Sequence, residues 1–530
     1  MAQQAPRDRL ASVASTAEGW TVQRLTQPSR LNGANGIRTG ADGRIYVAQV
    51  AGSKVSAVDP DTGEIETVSP TGGAIIGPDD LVFDDDGNLY CTEITEGRVR
   101  MLAPNGESKV IWDDMPVANP ITYHQGHLIA GELRVGGRIM ELDRNGGAPR
   151  VILDNVPMAN AFEVGPDGKL YFPAQGANEI WRVSLDGGEP EVVAKDLGVP
   201  DSVKFDPQGF IVSTQVGSGQ VLRIDPRTGD KTVLADIGPG LDNCTFVGDR
   251  LFVSHITGGL FEILAQGNVR ALVEKGFQWP MGLAVDGEGT VCIADGMFAY
   301  TLRPGGRPEQ AGMLFAGNYP GFMRGLACSD TGDWFTTTAN GTVSRWVPGT
   351  EPELLASGGE LLMGIALAPG GAVVFADAGA GRVLSAEGGE VSELASGLDR
   401  PTGVAVASDG TVYVSLPGEG RIAKIAGGRA ETFVDGLGEP QGIAIRGGKL
   451  YAVDNGAKAV IECDLASGAQ QTLASDLAVG VPQGVTPLRL GGVGDMCGPM
   501  WPFTGIAAGA DGALYVSGDL EGSVLALRPA

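Results

Sequence analysis

The chain has no run of 18 or more apolar residues, so no helix of it is expected to cross a membrane. Its six cysteines (Cys91, Cys244, Cys292, Cys328, Cys463 and Cys497) include no CxxC pair and no short spacing. That argues against a disulfide or zinc framework and for reduced thiols in or near a core. Positive charge is scarce, with 38 Lys and Arg against 64 Asp and Glu and a net charge of −26. Such a surface repels phosphate backbones and anionic membranes, which excludes nucleic acid and membrane as expected partners and leaves a small molecule. A P-loop, a nucleophile elbow and a dinucleotide-binding fingerprint in a βαβ setting are all missing. No apolar stretch follows the opening Met-Ala-Gln-Gln, so no secretory leader is expected and the cytoplasm is the expected compartment.

What the chain does have is glycine, 83 of them, and a 43% hydrophobic share in 530 residues. That suits a turn-rich β protein of more than one domain. The segments "DDLVFDDDGNLYCTE" (79–93), "NAFEVGPDGKLYFPA" (160–174) and "TGVAVASDGTVYVSL" (402–416) share one pattern: apolar run, Asp-Gly or Gly turn, second apolar run. A third strand follows ("GRVRML" 97–102, "NEIWRV" 178–183, "GRIAKI" 420–425), then a fourth. Strands joined by such turns are hairpins, and four per period of about 40 residues make a propeller blade.

Aligned on the first strand, the repeats lead with Asn35, Asp79, Asn119, Asn160, Asp201, Asp242, Met281, Arg324, Met363, Thr402, Gln441 and Thr504. Twelve blades exceed the usual four to eight of one ring. The expected fold is therefore all-β, two tandem six-bladed propellers of four-stranded blades, over 18–266 and 267–530. A seven-plus-five split satisfies the same spacing, but five-bladed rings are rarer. The lone strand "WTVQRLTQ" (20–27) is expected to complete blade six, and "NVRALVEK" (268–275) to complete blade twelve, so that neither ring leaves an open edge.

The six leading residues of the first ring are all Asp or Asn. If a quarter of residues qualified, six of six would arise by chance about twice in ten thousand. Asx residues favour strand starts for local reasons, but the second ring, with none among its six, shows that the fold does not require them. Three carboxylates and three amides on one axis would bury unpaired charge, and a hard divalent cation resolves this. Asn35, Asp79, Asn119, Asn160, Asp201 and Asp242 are thus the expected metal ligands. Ca²⁺ is the first choice, with Mg²⁺, Mn²⁺ or a carboxylate-bound Zn²⁺ as alternatives.

The ends of the second strands reach the same mouth and carry Gln49, Glu93, Glu132, Ala174 with Gln175, Thr214 with Gln215, and His255, a polar level suited to orienting ligands. Their counterparts Asp295, Asp377 and Asp454 in the second ring read as structural turn residues. Of the three histidines, His255 stands at the mouth, as a proton-transfer candidate or a hydrogen bonder. His124 and His127 flank a turn at the opposite end and read as surface residues.

The repeat and the Asx ring together resemble the six-bladed propeller hydrolases of the senescence-marker/gluconolactonase/luciferin-regenerating family and the paraoxonases, over about 18–266. The segments that carry the likeness are "MANAFEVGPDG" (158–168), "VPDSVKFDPQG" (199–209) and "GLDNCTFVGDRLFVSH" (240–255). The second half resembles a generic NHL-type propeller. The resemblance implies Asn and Asp metal ligands at these strand starts, with Asp242-Asn243 like the paired ligand of paraoxonases. It also implies Asp201 or Asp242 as general base or nucleophile. Those families supply a Glu from the first blade where this chain has Asn35, so its ligand set is rearranged.

The expected activity is a metal-dependent, lactonase-like hydrolysis, with Asp201, Asp242, His255 and Glu132 as catalytic candidates and Glu93 as a further proton carrier. A lyase or isomerase stabilising an enolate at the same cation is the alternative, and a non-catalytic scaffold the third reading. The insertion "VPQGVTPLRLGGVGDMCGPMW" (481–501) is too long for an ordinary connection and reads as a plug over the second channel or a lid over the metal site.

Overall fold

The computed structural model describes residues 14–530. Its described residues form twelve antiparallel sheets, eleven of four strands and one of five, with only 3₁₀ turns besides. The sheets run in chain order and are consistent with β-propeller blades. No helix among the described residues is long and apolar enough to cross a membrane.

The Asp-Gly signals mark turns with a definite chemistry. In the second sheet Asp84 Oδ1 accepts the backbone N–H groups of Asp86 and Asn88, at 3.0 and 2.9 Å. Gly87 then takes φ +78°, a conformation costly for any residue with a Cβ. Asp206 and Asp286 repeat the arrangement.

Two compact units divide the chain. The first is Ser29–Gln278 with Leu490–Gly494; the second takes the described residues up to Pro28, Trp279–Arg489 and Asp495–Ala530. The N-terminal strand therefore does not belong where the sequence suggested. Trp20–Arg24 pairs with Ser523–Pro529, Val22 opposite Leu527, and so completes the last sheet. The sixth sheet needs no help, because Val269–Val273 follows Gly259–Ile263 through a short 3₁₀ turn and pairs with it. A local fourth strand costs less loop-closure entropy than a remote one, so it takes that edge.

In the first unit the apolar side chains pack between neighbouring sheets. Ile121, Leu128 and Met140 of the third sheet meet Val82, Tyr90 and Val99 of the second. Ile37, Val47 and Val58 of the first sheet meet Phe252 and Leu260 of the sixth, so the series returns to its start. Phe162 and Ile139 are wholly buried between the third and fourth sheets. Cutting Phe162 to Ala would cost about 3–5 kcal/mol and Ile139 to Ala about 2–5 kcal/mol.

In the second unit the backbone makes the series visible. Gly282 N donates to the Arg324 carbonyl (2.8 Å), Gly364 N to Thr402 (2.8 Å) and Gly442 N to Thr504 (2.9 Å). Gly505 lies so near Met281 that a Cβ on it would stand 2.4 Å from that carbonyl oxygen.

Candidate metal centre

The six Asp and Asn residues stand at the starts of the first strands because backbone bonds hold them there. Asn35 N donates to the Ala48 carbonyl (3.0 Å), Asn160 N to Pro173 (3.1 Å) and Asp201 N to Thr214 (2.9 Å). Neighbouring sheets then grip their carbonyls. Gly36 N reaches Asp79 O (2.7 Å), Thr92 Oγ1 reaches Asn119 O (2.6 Å), and Ser254 Oγ reaches Asn35 O (2.7 Å). With their backbones so engaged, all six side chains lie buried.

The side chains form three pairs, each an amide donating to a carboxylate of the adjacent sheet. Asn35 Nδ2 meets Asp242 Oδ2 at 3.3 Å, Asn119 Nδ2 meets Asp79 Oδ2 at 2.6 Å, and Asn160 Nδ2 meets Asp201 Oδ2 at 3.0 Å. Only Oδ2 is used in each case. Among the described residues no hydrogen bond reaches Oδ1 of any of the three aspartates.

Burial pushes all three carboxyls up, and their neighbours push further. Asp79 rises to about 7 through burial and the adjacent Asp80. Asp201 rises well above the usual carboxylate range, through burial, then Asp79 and Asp80. Asp242 follows, through burial, then Asp201, Asp79 and Asp80. Three acids that disfavour one another's ionised forms share a desolvated place.

Among the described residues no three His, Cys, Asp or Glu side chains are grouped closely enough to hold a metal ion by themselves. A cation here would need amide oxygens or water beside the carboxylates. The structure offers such an oxygen at Gln175. Gln175 Nε2 donates to Asp201 Oδ2 at 3.2 Å, while its Oε1 is buried with no partner. Three unbonded carboxylate oxygens and an orphaned amide oxygen are the donor chemistry of a hard divalent cation, so the residues fit.

The other residues at the ends of the second strands do something else. Gln49 Oε1 accepts Asn32 N (2.7 Å), Glu93 Oε1 accepts Ile76 N (2.8 Å) and Gln215 Oε1 accepts Gly198 N (2.9 Å). Each pins the loop three residues before a leading Asx. Asp377 and Asp454 pin the matching loops of the second unit, through Leu361 N (3.1 Å) and Glu439 N (2.7 Å), and Asp295 bonds Trp279 N.

Glu132 is held by Arg134 and Arg138, with Arg138 Nε at 3.0 Å, and is fully buried. His255 faces the Pro239 carbonyl with Nε2 (2.9 Å) and the Thr257 hydroxyl with Nδ1 (2.9 Å). Burial, then Lys275, lowers its pKa to about 3 against the bond to Pro239, so the ring is neutral. His127 bonds Glu141 at 2.5 Å on the exposed face, as a surface residue does.

One group escaped the sequence reading. Arg38, Glu163 and Lys204 come three residues after Asn35, Asn160 and Asp201, and they meet one another. Arg38 Nη1 lies 3.1 Å and Lys204 Nζ 3.0 Å from Glu163 Oε2. Asp80, completely buried, feels both cations. Tabulating the third residue after each leading position would have exposed this cluster.

Residues 121–257 match the family model described as "SMP-30/Gluconolactonase/LRE-like region". The search of curated proteins found no match. Among solved structures, the chain is similar to one titled "Streptogramin B lyase structure", at 17% identity and TM-score 0.39, covering 52% of this chain and 96% of that one. It is also similar to virginiamycin B lyase from Staphylococcus aureus, at 18% identity, TM-score 0.39 and the same coverage.

Proposed function

We propose that each compact unit is a six-bladed propeller, and that the Asx ring of the first binds a divalent cation, Ca²⁺ by the hardness of its donors, at which a lactone is hydrolysed. The observation that carries this reading is the pairing pattern. Three buried aspartates each spend Oδ2 on a neighbouring amide and leave Oδ1 unbonded. The match of residues 121–257 supports the choice of chemistry, since that stretch contains Glu132, Asn160, Asp201, Asp242 and His255.

When bound, the cation supplies polarisation of the carbonyl and charge to offset a developing oxyanion. The chain's own residues do the rest. Asp201, fixed through Oδ2 by Asn160 and Gln175, keeps Oδ1 to take a proton from the attacking water. Asp242, fixed by Asn35, is the second base. Water adds to the carbonyl carbon, the ring C–O bond breaks, and the abstracted proton goes to the departing alkoxide, giving a hydroxy acid. Glu132 and His255 act as positioning residues here, because their polar atoms are already bonded.

The test is product analysis of purified protein against a panel of lactones, with and without a chelator. Cation-dependent ring opening with uptake of one water is the expected result. A product with a new C=C bond and no water consumed would replace hydrolysis by elimination, and no turnover of any lactone would remove the substrate class.

A further inference from the structure

Among the described residues of the second unit, one buried positive charge has no carboxylate partner. Arg324 holds the leading position of the eighth sheet and is wholly buried. Nη1 donates to the Leu362 carbonyl and Nη2 to the Pro499 carbonyl, the latter at 2.7 Å. Nε has no partner, and among the described residues no carboxylate pairs with this side chain. Burial lowers its pKa to about 10, Cys497 opposes the shift and Arg489 adds to it. A buried, unpaired cation is costly, and the usual remedy is an anion. The site lies in a chain whose net charge is −26, so an excess of cations at one point is the more telling.

Two more orphaned atoms lie in this unit, one of them at a leading position like that of Arg324. Gln441 leads the eleventh sheet, and its Oε1 is buried without a partner. Asn455 ends that sheet's second strand region; its Nδ2 donates to Thr504 Oγ1 at 2.8 Å, which leaves Oδ1 buried and unbonded. These oxygens call for donors as Arg324 calls for an acceptor. One molecule with an acid group and a separate donor answers both needs.

We propose that this end of the second unit binds a small organic acid bearing a hydroxyl or ammonium group, its carboxylate on Arg324 and its donor on Gln441 and Asn455. The Pro499 carbonyl bonded to Arg324 makes the 495–501 part of the insertion a wall of that site. The inference stands apart from the first unit's chemistry.

The experiment is calorimetric titration of the full chain with lactate, malate and 4-aminobutyrate, against propionate, succinate, butyrate and chloride at matched ionic strength. At least one of the first three should bind saturably at one site, about tenfold or more tighter than its donor-free counterpart. Arg324→Met should abolish that binding, and Asp201→Ala should leave it intact. Gln441→Leu keeps the charge and should narrow the gap in affinity between the acid with the donor and the acid without it. Ordered water alone would satisfy the three atoms if no probe outbinds chloride, and that result overturns the proposal. So does binding that survives Arg324→Met, or binding lost on Asp201→Ala, which places it in the first unit. Should Arg324→Met fail to fold, unchanged selectivity in Gln441→Leu overturns it as well.

Discussion

Asn160 donates its side-chain amide to Asp201 across two adjacent sheets, Nδ2 to Oδ2 at 3.0 Å. Asn119 with Asp79 and Asn35 with Asp242 repeat the relation, so the six residues stand as three couples. An amide donor on one oxygen steadies each carboxylate while leaving the other for a cation or, at Asp201 and Asp242, for a proton. Purified protein should accordingly contain about one divalent cation per chain by metal analysis, with Asp201→Ala or Asn160→Ala depleting it. The combined Asn160, Asp201 and Asp242 alanine variant should contain none, and Met363→Ala should contain as much as the wild type. At a cation concentration 100 times its Kd, chelation should lower the unfolding free energy by about 2.7 kcal/mol. Equal metal content in the wild type and the triple variant would falsify the site.

Gln175 separates the proposed ligand set from the six residues that sequence alone suggests. Its amide nitrogen holds Asp201 and its oxygen is unpartnered. Gln175→Met keeps length and apolar packing but removes both functions, and should weaken Ca²⁺ binding about 10–100-fold. Gln175→Glu restores an oxygen donor and should recover most of the loss. If both variants bind as the wild type does, Gln175 lies outside the site.

The sequence made the repeat legible because strand alternation and Asp-Gly turns are local, and Asp84, Asp206 and Asp286 build the turns with their own side chains. The Asx ring was legible because one position recurs in every repeat. What could not be read was pairing. Whether Trp20–Arg24 joins Gly259–Ile263 or Ser523–Pro529 is a matter of long-range geometry, and both edges would accept a strand of that pattern. Nor does a polar residue at a strand end announce its target. Gln49, Glu93 and Gln215 turn to backbone N–H groups, while Gln175, one position beyond its strand, reaches the ring.

His255 provides a test by pH. Its pKa falls from 6.5 to about 3 on folding, so between these values the unfolded chain binds more protons than the native one. Its contribution is complete above about pH 6.5 and is lost progressively as the pH drops toward 3. At 1.36 kcal/mol per unit, the most this can cost is ~4–5 kcal/mol. His255→Gln puts at this position the residue that pins the matching loop at Gln49 and Gln215. Denaturant titrations from pH 7 to 4 should show a shallower loss of stability in this variant. An identical slope would mean that His255 does not resist protonation.

Glu132 distinguishes anchoring from proton transfer. Both of its oxygens receive arginine N–H groups, and Arg138 also donates its backbone N–H at 3.1 Å. Glu132→Gln should cost about 1.5–3 kcal/mol, the range for a charge-assisted hydrogen bond. Any change in kcat/KM should track that destabilisation and fade on cooling. A variant as stable as the wild type but with kcat reduced a hundredfold or more would restore Glu132 as a proton carrier.

The strand pairing predicts which piece of the chain can stand alone. The sixth sheet is complete with Val269–Val273, and its apolar residues close on the first sheet through Phe252, Leu260 and Val273 against Ile37 and Val47. A fragment spanning 29–278 therefore contains every strand of the first unit. The fragment suggested by the repeat alone, 18–266, differs in two ways. It carries Trp20–Arg24, whose partner Ser523–Pro529 is missing, and it lacks Val269–Val273. Its sixth sheet would end on Gly259–Ile263 with an unpaired edge, open to association with other chains. Purified 29–278 should be monomeric by size exclusion and unfold in one cooperative transition, with a midpoint raised by Ca²⁺ in the wild-type fragment and unmoved in its Asp201→Ala form. Fragment 18–266 should aggregate or melt at least several degrees lower. If 18–266 is the better behaved of the two, the N-terminal strand can fill the sixth edge after all, and the division at Pro28 and Ser29 would have to be redrawn.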